Sequence, residues 1–307
     1  MNAGTAREGY GDIFSAALLT ELGHSAAFGS VMEMEEAQKW SWKEIGDAGF
    51  NSSLNELLRM GRVIEKDGRL TLGGMQHLFE HSERRKMAAE DRLRFGQSFI
   101  RKIGSQCPEL LLGGVSGSVS YNSSGPDDDV DILLITEDGS LWKVLADALI
   151  EARRIRKTNP DAPILCLSYC MEETAFRSEA LSHRSRLFAR DFLRLKAETG
   201  LSLYRKILRD SSWMRTFYPA MFDERSCQEF MESEERRTER SRSLNTLYYV
   251  SIGGYLSIAA MVRNHAFRRE GKRHKEFRAR IRRDRCIYES LKWKRLEKSF
   301  EEENVIK

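Results

Sequence analysis

Gly117 and Ser118 stand ten intervening residues ahead of Asp129-Val130-Asp131, and these are the positions whose types and spacing offer chemistry. Successive side chains of a strand point to opposite faces. Asp129 and Asp131 therefore project together, while Val130, Ile132 and Leu134 share the other face. Two neighbouring carboxylates present the hard oxygen ligands that Mg²⁺ prefers, and Mg²⁺ completes its shell with water and substrate phosphates. Two such ions stabilise both the attacking and the leaving oxygens of an in-line phosphoryl displacement. Gly117 lets the backbone approach a phosphate with no Cβ in the way, and Ser118 adds a hydroxyl beside N–H groups that form an anion-binding concavity. Asp127-Asp128-Asp129 is a rival Asp-x-Asp. Asp129 and Asp131 are preferred because Asp131 abuts the apolar run ILLIT. Alone, SSGPDDD is ordinary turn material. The order of strand, Gly-Ser, loop, Asp-x-Asp and apolar strand lifts it above that.

The elements that must position these residues follow from the hydrophobic pattern. A short apolar strand precedes the Gly-Ser turn from Leu110, and a second runs to Thr136. LWKVLADALIEARRIR (141–156) is an amphipathic helix, broken by Asn159-Pro160 and Pro163. PILCLSYCMEE then gives a third strand. Strand, strand, helix, strand places the site on a small mixed sheet with helices against it. Upstream, helical spacing covers 10–22 and 30–47. Ser53 with Glu56 fits a capping box for the helix SLNELLRMG, and RVIEKDGRLTL reads as a hairpin around Asp67-Gly68. Helices, a capped helix and a hairpin make a winged-helix pattern. Its candidate recognition helix, 53–60, offers only Arg59, which favours protein contact over base reading.

Residues 76–103 read as a long charged helix, made basic by Arg84, Arg85, Lys86, Arg92 and Arg94. His77 and His81 share a face there, but with no third ligand nearby they read as solvent-exposed. Downstream, 181–198 is a basic amphipathic helix, 203–219 a second helix and 223–243 a polar linker or exposed helix. LNTLYYVSIGGYLSIAAMV (244–262) carries no charge but holds two glycines and several polar residues. It reads as a buried core helix in preference to a membrane span.

VSGSVSYNSSGPDDDVDILLIT resembles the Gly-Ser…Asp-x-Asp signature of the nucleotidyltransferase superfamily, the polymerase-beta-like fold. The resemblance covers about 30 residues, with weaker support over roughly 70–220. It implies that Gly117 and Ser118 hold an NTP and that Asp129 and Asp131 ligate Mg²⁺ as the catalytic pair. The N-terminal winged-helix-like segment, and the run 187–219, are similar to those of a prokaryotic subfamily. Active members of the superfamily generally place a third carboxylate on the third strand. Here that strand holds Cys166, Ser168 and Cys170 on one face and no acid, with Glu172 and Glu173 just past its end. The cysteines read as small buried residues. The expected fold class is α+β: a small mixed-sheet nucleotidyltransferase core (76–220), preceded by a winged-helix-like domain (1–75) and followed by a mainly helical, basic C-terminal region (221–307). The expected function is transfer of an NMP group from an NTP to a hydroxyl of RNA, protein or a small molecule. The alternative is a catalytically degenerate nucleotide- or RNA-binding regulator.

With 307 residues, the chain has room for two or three domains. Its five cysteines are scattered with no Cys-x-x-Cys, which argues for a reducing compartment, and the cytoplasm is the expected location. Residues 263–298 hold fifteen Lys/Arg against five Asp/Glu, interleaved with Phe267, Phe277, Tyr288 and Trp293. Such a segment suits RNA, through phosphate contacts and stacking on unpaired bases.

Overall fold

The computed structural model describes residues 4–40, 47–125, 128–227 and 242–291, with 294, 295 and 298. Helices alternate with two sheets. The N-terminal part comprises α1 (Gly4–Ala27), β1 (Met32–Glu33), α2 (Met34–Trp40), α3 (Asp47–Arg59), β2 (Val63–Lys66) and β3 (Arg69–Leu72). β2 and β3 form the hairpin expected around Asp67 and Gly68, whose φ angles of 53° and 74° suit a tight hairpin turn. β1 adds to β3, giving an antiparallel sheet of order β1-β3-β2. The Ser53/Glu56 capping box does not form. Phe50, Leu54 and Leu57 make one buried stripe, so the helix starts earlier and Ser53 lies buried within it. The helix expected over 30–47 is β1 followed by α2, and 41–46 lie outside the described residues.

The next part runs α4 (His77–Gln106), β4 (Leu110–Val115), α5 (Gly117–Ser120), β5 (Val130–Thr136), α6 (Leu141–Thr158), β6 (Leu165–Glu172), α7 (Glu173–Ser182), α8 (Arg186–Arg194), β7 (Lys196–Thr199), α9 (Leu201–Asp210) and α10 (Pro219–Cys227). The helix expected over 181–198 is divided. Ser185 accepts from Phe188 N and caps a fresh start at α8, and beyond buried Leu195 the chain becomes a strand. The last part contributes α11 (Arg242–Tyr248), α12 (Gly254–Arg269), β8 (Phe277–Arg282) and β9 (Arg285–Ser290), with a π-helical turn, Tyr249–Gly253, between the two helices. A mainly helical C-terminal region does not hold over 277–290. Phe277, Ala279 and Ile281 alternate with three arginines, a period-2 pattern that the charge count obscured. Most of the expected 223–243 linker, 228–241, lies outside the described residues.

One six-stranded sheet unites these parts, in the order β7-β4-β5-β6-β9-β8. β5 and β6 pair parallel across the α6 crossover, and the other pairings are antiparallel. Val130, Ile132 and Leu134 pack against Phe99 and Ile103 of α4 and Trp142 and Leu145 of α6. Gly96 allows that approach: a Cβ there would lie 2.8 Å from Val115 Cγ2 and 2.9 Å from Val130 Cγ1. Leu133 and Ile135 face the other way, into a core with Phe176, Phe192 and Leu193 that continues into Leu18 and Trp40 of the N-terminal part.

The 244–262 segment is not a buried core helix. Asn245 Oδ1 accepts from Trp142 N at 2.7 Å, capping α6, and Gly253 and Ala260 are buried. Leu247, Val250, Tyr255, Ile258, Met261 and Val262, however, are 59–68% exposed, so the segment covers the sheet with one side only. No helix among the described residues is long and apolar enough to cross a membrane.

A buried charge cluster joins the N-terminal part to α8. Glu21, fully buried on α1, accepts from Arg186 Nη2 and from Arg190 Nε at 2.7 Å each, and from the Tyr218 hydroxyl at 3.1 Å. Arg190 and Arg194 lie over the rings of both Trp40 and Tyr121, at 4.5–5.4 Å. Arg194 also pairs with Glu36. Removing one partner of a buried ion pair strands the other charge, typically at a cost of roughly 3–5 kcal/mol. Glu21→Ala, which strands two arginines, is expected to lower unfolding free energy by at least about 3 kcal/mol in urea titration; a loss under about 1 kcal/mol would show that the cluster is dispensable.

Candidate functional site

β4 delivers the chain to Ser116, whose N–H donates to Asp131 O at 2.9 Å. Gly117 then turns with φ of +61°. A Cβ on Gly117 would lie 2.1 Å from Asp131 Oδ2, so the Asp131 carboxylate rests directly on the glycine. The loop beyond is tied down by Ser123, which accepts from Arg85 Nε at 2.8 Å and donates to Gly29 O at 2.9 Å. Asp128 belongs to this scaffold, since its Oδ2 accepts from Gly125 N at 2.6 Å and faces Arg85 Nη2 at 3.5 Å. Asp127, the first member of the rival Asp-x-Asp, lies outside the described residues.

Asp131 lies on β5 and Asp129 stands just ahead of the strand, and both line one cleft. β6 pairs so that Cys166 lies opposite Asp131 but Tyr169 opposite Leu133. That register shift is a bulge, and it brings both Ser168 and Tyr169 to the Asp131 side. The Ser168 hydroxyl and Cys166 thiol lie beside Asp131 and favour its ionised form. Cys170, expected on the same face, is carried to the opposite side against Leu134. Burial pushes the Asp131 carboxyl up to about 6; the Ser168 hydroxyl opposes this, and the Asp129 charge adds to it. Burial also raises Asp129, opposed by Arg263 of α12 and reinforced by Asp128. Two crowded carboxylates whose ionisation is resisted, with a glycine leaving room beside one of them, fit a hard divalent cation.

β6 carries a carboxylate only at its end, Glu172, and not beside Asp131. Glu172 pairs with Thr136 at the far end of the strands, where burial raises its carboxyl. Glu173 is bound to Arg177 at 2.8 Å. Neither reaches Asp131. Among the described residues, no group of three or more His, Cys, Asp or Glu is placed to hold a metal ion. His77 and His81 are exposed, as the sequence suggested.

Two hollows meet at Asp131 and Ser168. A cleft of about 1000 Å³ is lined by Ser118, Asp129 and Asp131, with Arg85, Arg263 and Lys275 around it. A chamber of about 290 Å³ holds Gly117, Asp131, Ser168 and, from α8, Asp191. Asp191 was missed; its only sequence signal is a lone acid in a basic helix. Burial pushes its carboxyl up to about 7, against the Tyr121 hydroxyl that donates to it and against Arg190 and Arg194. In the basic C-terminal segment, Phe277 and Tyr288 pack edge to face at 5.5 Å and line the cleft, and Arg280 and Arg285 both bind Glu179. Trp293 lies outside the described residues. Comparison of the chain with protein families, with characterised proteins and with solved structures finds no match.

Gly117→Ala is expected to displace the Asp131 carboxylate and strain a positive-φ position, lowering the midpoint of thermal unfolding; an unchanged midpoint contradicts this geometry. The Asp131 shift has a definite sign. Below pH 3.8 the acid is neutral in folded and unfolded chains alike; above it, the unfolded chain ionises first, so this group's contribution to stability is lost as pH rises through about 6. Metal-free Asp131→Asn is therefore expected to unfold at a higher temperature than the wild type at pH 7.5, with little difference at pH 4. A destabilised variant at pH 7.5 contradicts it.

Proposed function

We propose that this chain is a Mg²⁺-dependent nucleotidyltransferase with a polymerase-beta-like core, moving an NMP group from an NTP to an acceptor hydroxyl. The observation that carries the reading is the seat of the Asp131 carboxylate on Gly117, in a cleft shared with Ser118 and Asp129. The β4–turn–β5 hairpin and the parallel β5–α6–β6 unit are consistent with that core. Asp129 and Asp131 are the groups to hold Mg²⁺, which when bound neutralises developing phosphate charge and activates the attacking hydroxyl. Ser118 and the turn N–H groups meet the phosphates, and Arg263 and Lys275 line the surrounding cleft. The acceptor oxygen attacks the α-phosphorus, the bond to pyrophosphate breaks, and the hydroxyl proton is released.

The N-terminal part, in the order helix, strand, helix, helix, hairpin, supports a winged-helix-like unit. The described exposed residues of α3 include Asn55, Glu56 and Arg59, a nearly neutral surface that favours a protein partner over DNA. The C-terminal arginines left on the surface, among them Arg278, Arg282 and Arg283, keep RNA among the partners to be tested. A second reading has its own observation. Ser168 occupies the strand position beside Asp131 where an acid would help catalysis, which favours a nucleotide- or RNA-binding protein that has lost turnover.

Labelled NTPs, Mg²⁺ and separate RNA, protein and small-molecule fractions distinguish the two. The transferase reading expects Mg²⁺-dependent label on one fraction, reduced more than about 100-fold by Asp129→Asn or Asp131→Asn. NTP binding with no label in any fraction favours the second reading. Absence of NTP binding contradicts the transferase reading, and absence of both NTP and RNA binding contradicts both.

A further inference from the structure

We propose that the smaller chamber is an acceptor pocket for a small, ring-bearing hydroxyl compound that is neutral or cationic, and that the nucleotide enters only from the larger cleft. This rests on the transferase reading above, and it names the class of acceptor.

Three features of the chamber lead there. The first is size. At about 290 Å³ it lies at the lower end of small-molecule pockets, while the adjoining cleft of about 1000 Å³ has room for a nucleotide triphosphate. The second is its walls. Tyr169, Phe176, Phe188 and Phe192 surround it, with Phe176 at 6.1 Å from Tyr169 and 5.4 Å from Phe192 in edge or tilted contact. Such rings offer faces and edges to a planar or saturated ring.

The third feature is charge. Asp131, Asp191, Glu179 and Glu289 border the chamber. Its bordering arginine, Arg280, is committed to two of them, at 3.0 Å from Glu179 and 2.6 Å from Glu289. His183 stacks on Phe188 with its Nδ1 3.9 Å from Glu179. A phosphate or carboxylate placed here meets the Asp131 and Asp191 carboxylates, whereas an ammonium group is welcomed. The larger cleft has the opposite bias, with Arg85, Arg263 and Lys275 on its walls. The two hollows share Asp131 and Ser168, so a hydroxyl held in the chamber faces an α-phosphate held from the cleft. The acceptor oxygen bonds to that phosphorus, pyrophosphate leaves into the cleft, and the hydroxyl proton passes to solvent. A polyanionic RNA end is disfavoured in this position.

A matched pair of ligands tests the proposal. Tyramine and 4-hydroxyphenylacetate carry the same phenol ring, one with an ammonium and the other with a carboxylate. Their binding to the full chain is measured by saturation-transfer NMR and calorimetry, with Mg²⁺ and a non-hydrolysable ATP analogue titrated separately. Tyramine is expected to bind at least tenfold more tightly than 4-hydroxyphenylacetate. Phe188→Ala is expected to weaken tyramine at least fivefold while leaving the analogue's affinity unchanged, and Asp191→Asn to narrow the tenfold preference. A short RNA with a free 3′ hydroxyl is expected not to displace tyramine. Analogue binding without any preference for tyramine, or displacement of tyramine by the RNA, overturns the acceptor proposal alone. Preference for tyramine with no binding of the analogue overturns the nucleotide reading and the acceptor role with it.

Discussion

Three arginines on one face of α8, spaced four residues apart, are buried between the N-terminal part and the sheet. Guanidinium groups removed from water cost several kcal/mol each unless paired and hydrogen-bonded. Arg186 and Arg190 are paired through the single carboxylate of Glu21 and Arg194 through Glu36, although Arg190 Nη1 and Arg194 Nε find no hydrogen-bond partner among the described residues. Trp40 and Tyr121 supply π faces to Arg190 and Arg194. Because these partners come from α1, α2 and the loop after α5, the cluster fixes three separate elements at once. The same helix turns Phe188, Asp191 and Phe192 toward the chamber, at the three- and four-residue spacing of one helix face. The geometry of the candidate site thus depends on an ion-pair network on the far side of α8.

At the site, two local irregularities do what regular structure cannot. A positive-φ glycine removes the one Cβ that would occupy the space of the Asp131 carboxylate. A bulge in β6 turns two consecutive side chains, Ser168 and Tyr169, to the same face, so that one places a hydroxyl beside Asp131 and the other an aromatic wall. The cost falls on Asp131, which is held beside other acids with its ionisation resisted. The neighbouring charges of Asp129 and Asp128 add to that resistance.

Much of this was legible in the sequence where local rules operate. The Asp67-Gly68 hairpin, the apolar strands around the Gly-Ser turn and the α6 crossover follow from turn chemistry and periodicity alone. What escaped depends on pairing across distance. The capping box at Ser53 yielded to a buried stripe that begins at Phe50. The alternation in 277–282 was hidden under its arginines. The bulge that moves Cys170 away from Ser168 comes from the register between two strands and leaves no mark on either. Asp191 lies some sixty residues after Asp131, and only the packing of α8 on the sheet brings the two to one chamber.

The central claim is that Asp129 and Asp131 form the metal–nucleotide seat. The most direct measurement is a crystal structure with Mn²⁺ and a non-hydrolysable NTP analogue, located by anomalous scattering. The account predicts a manganese peak bridging the two carboxylates, with the analogue's phosphates against Gly117 and Ser118. A peak elsewhere, or phosphates bound away from that turn, would contradict it.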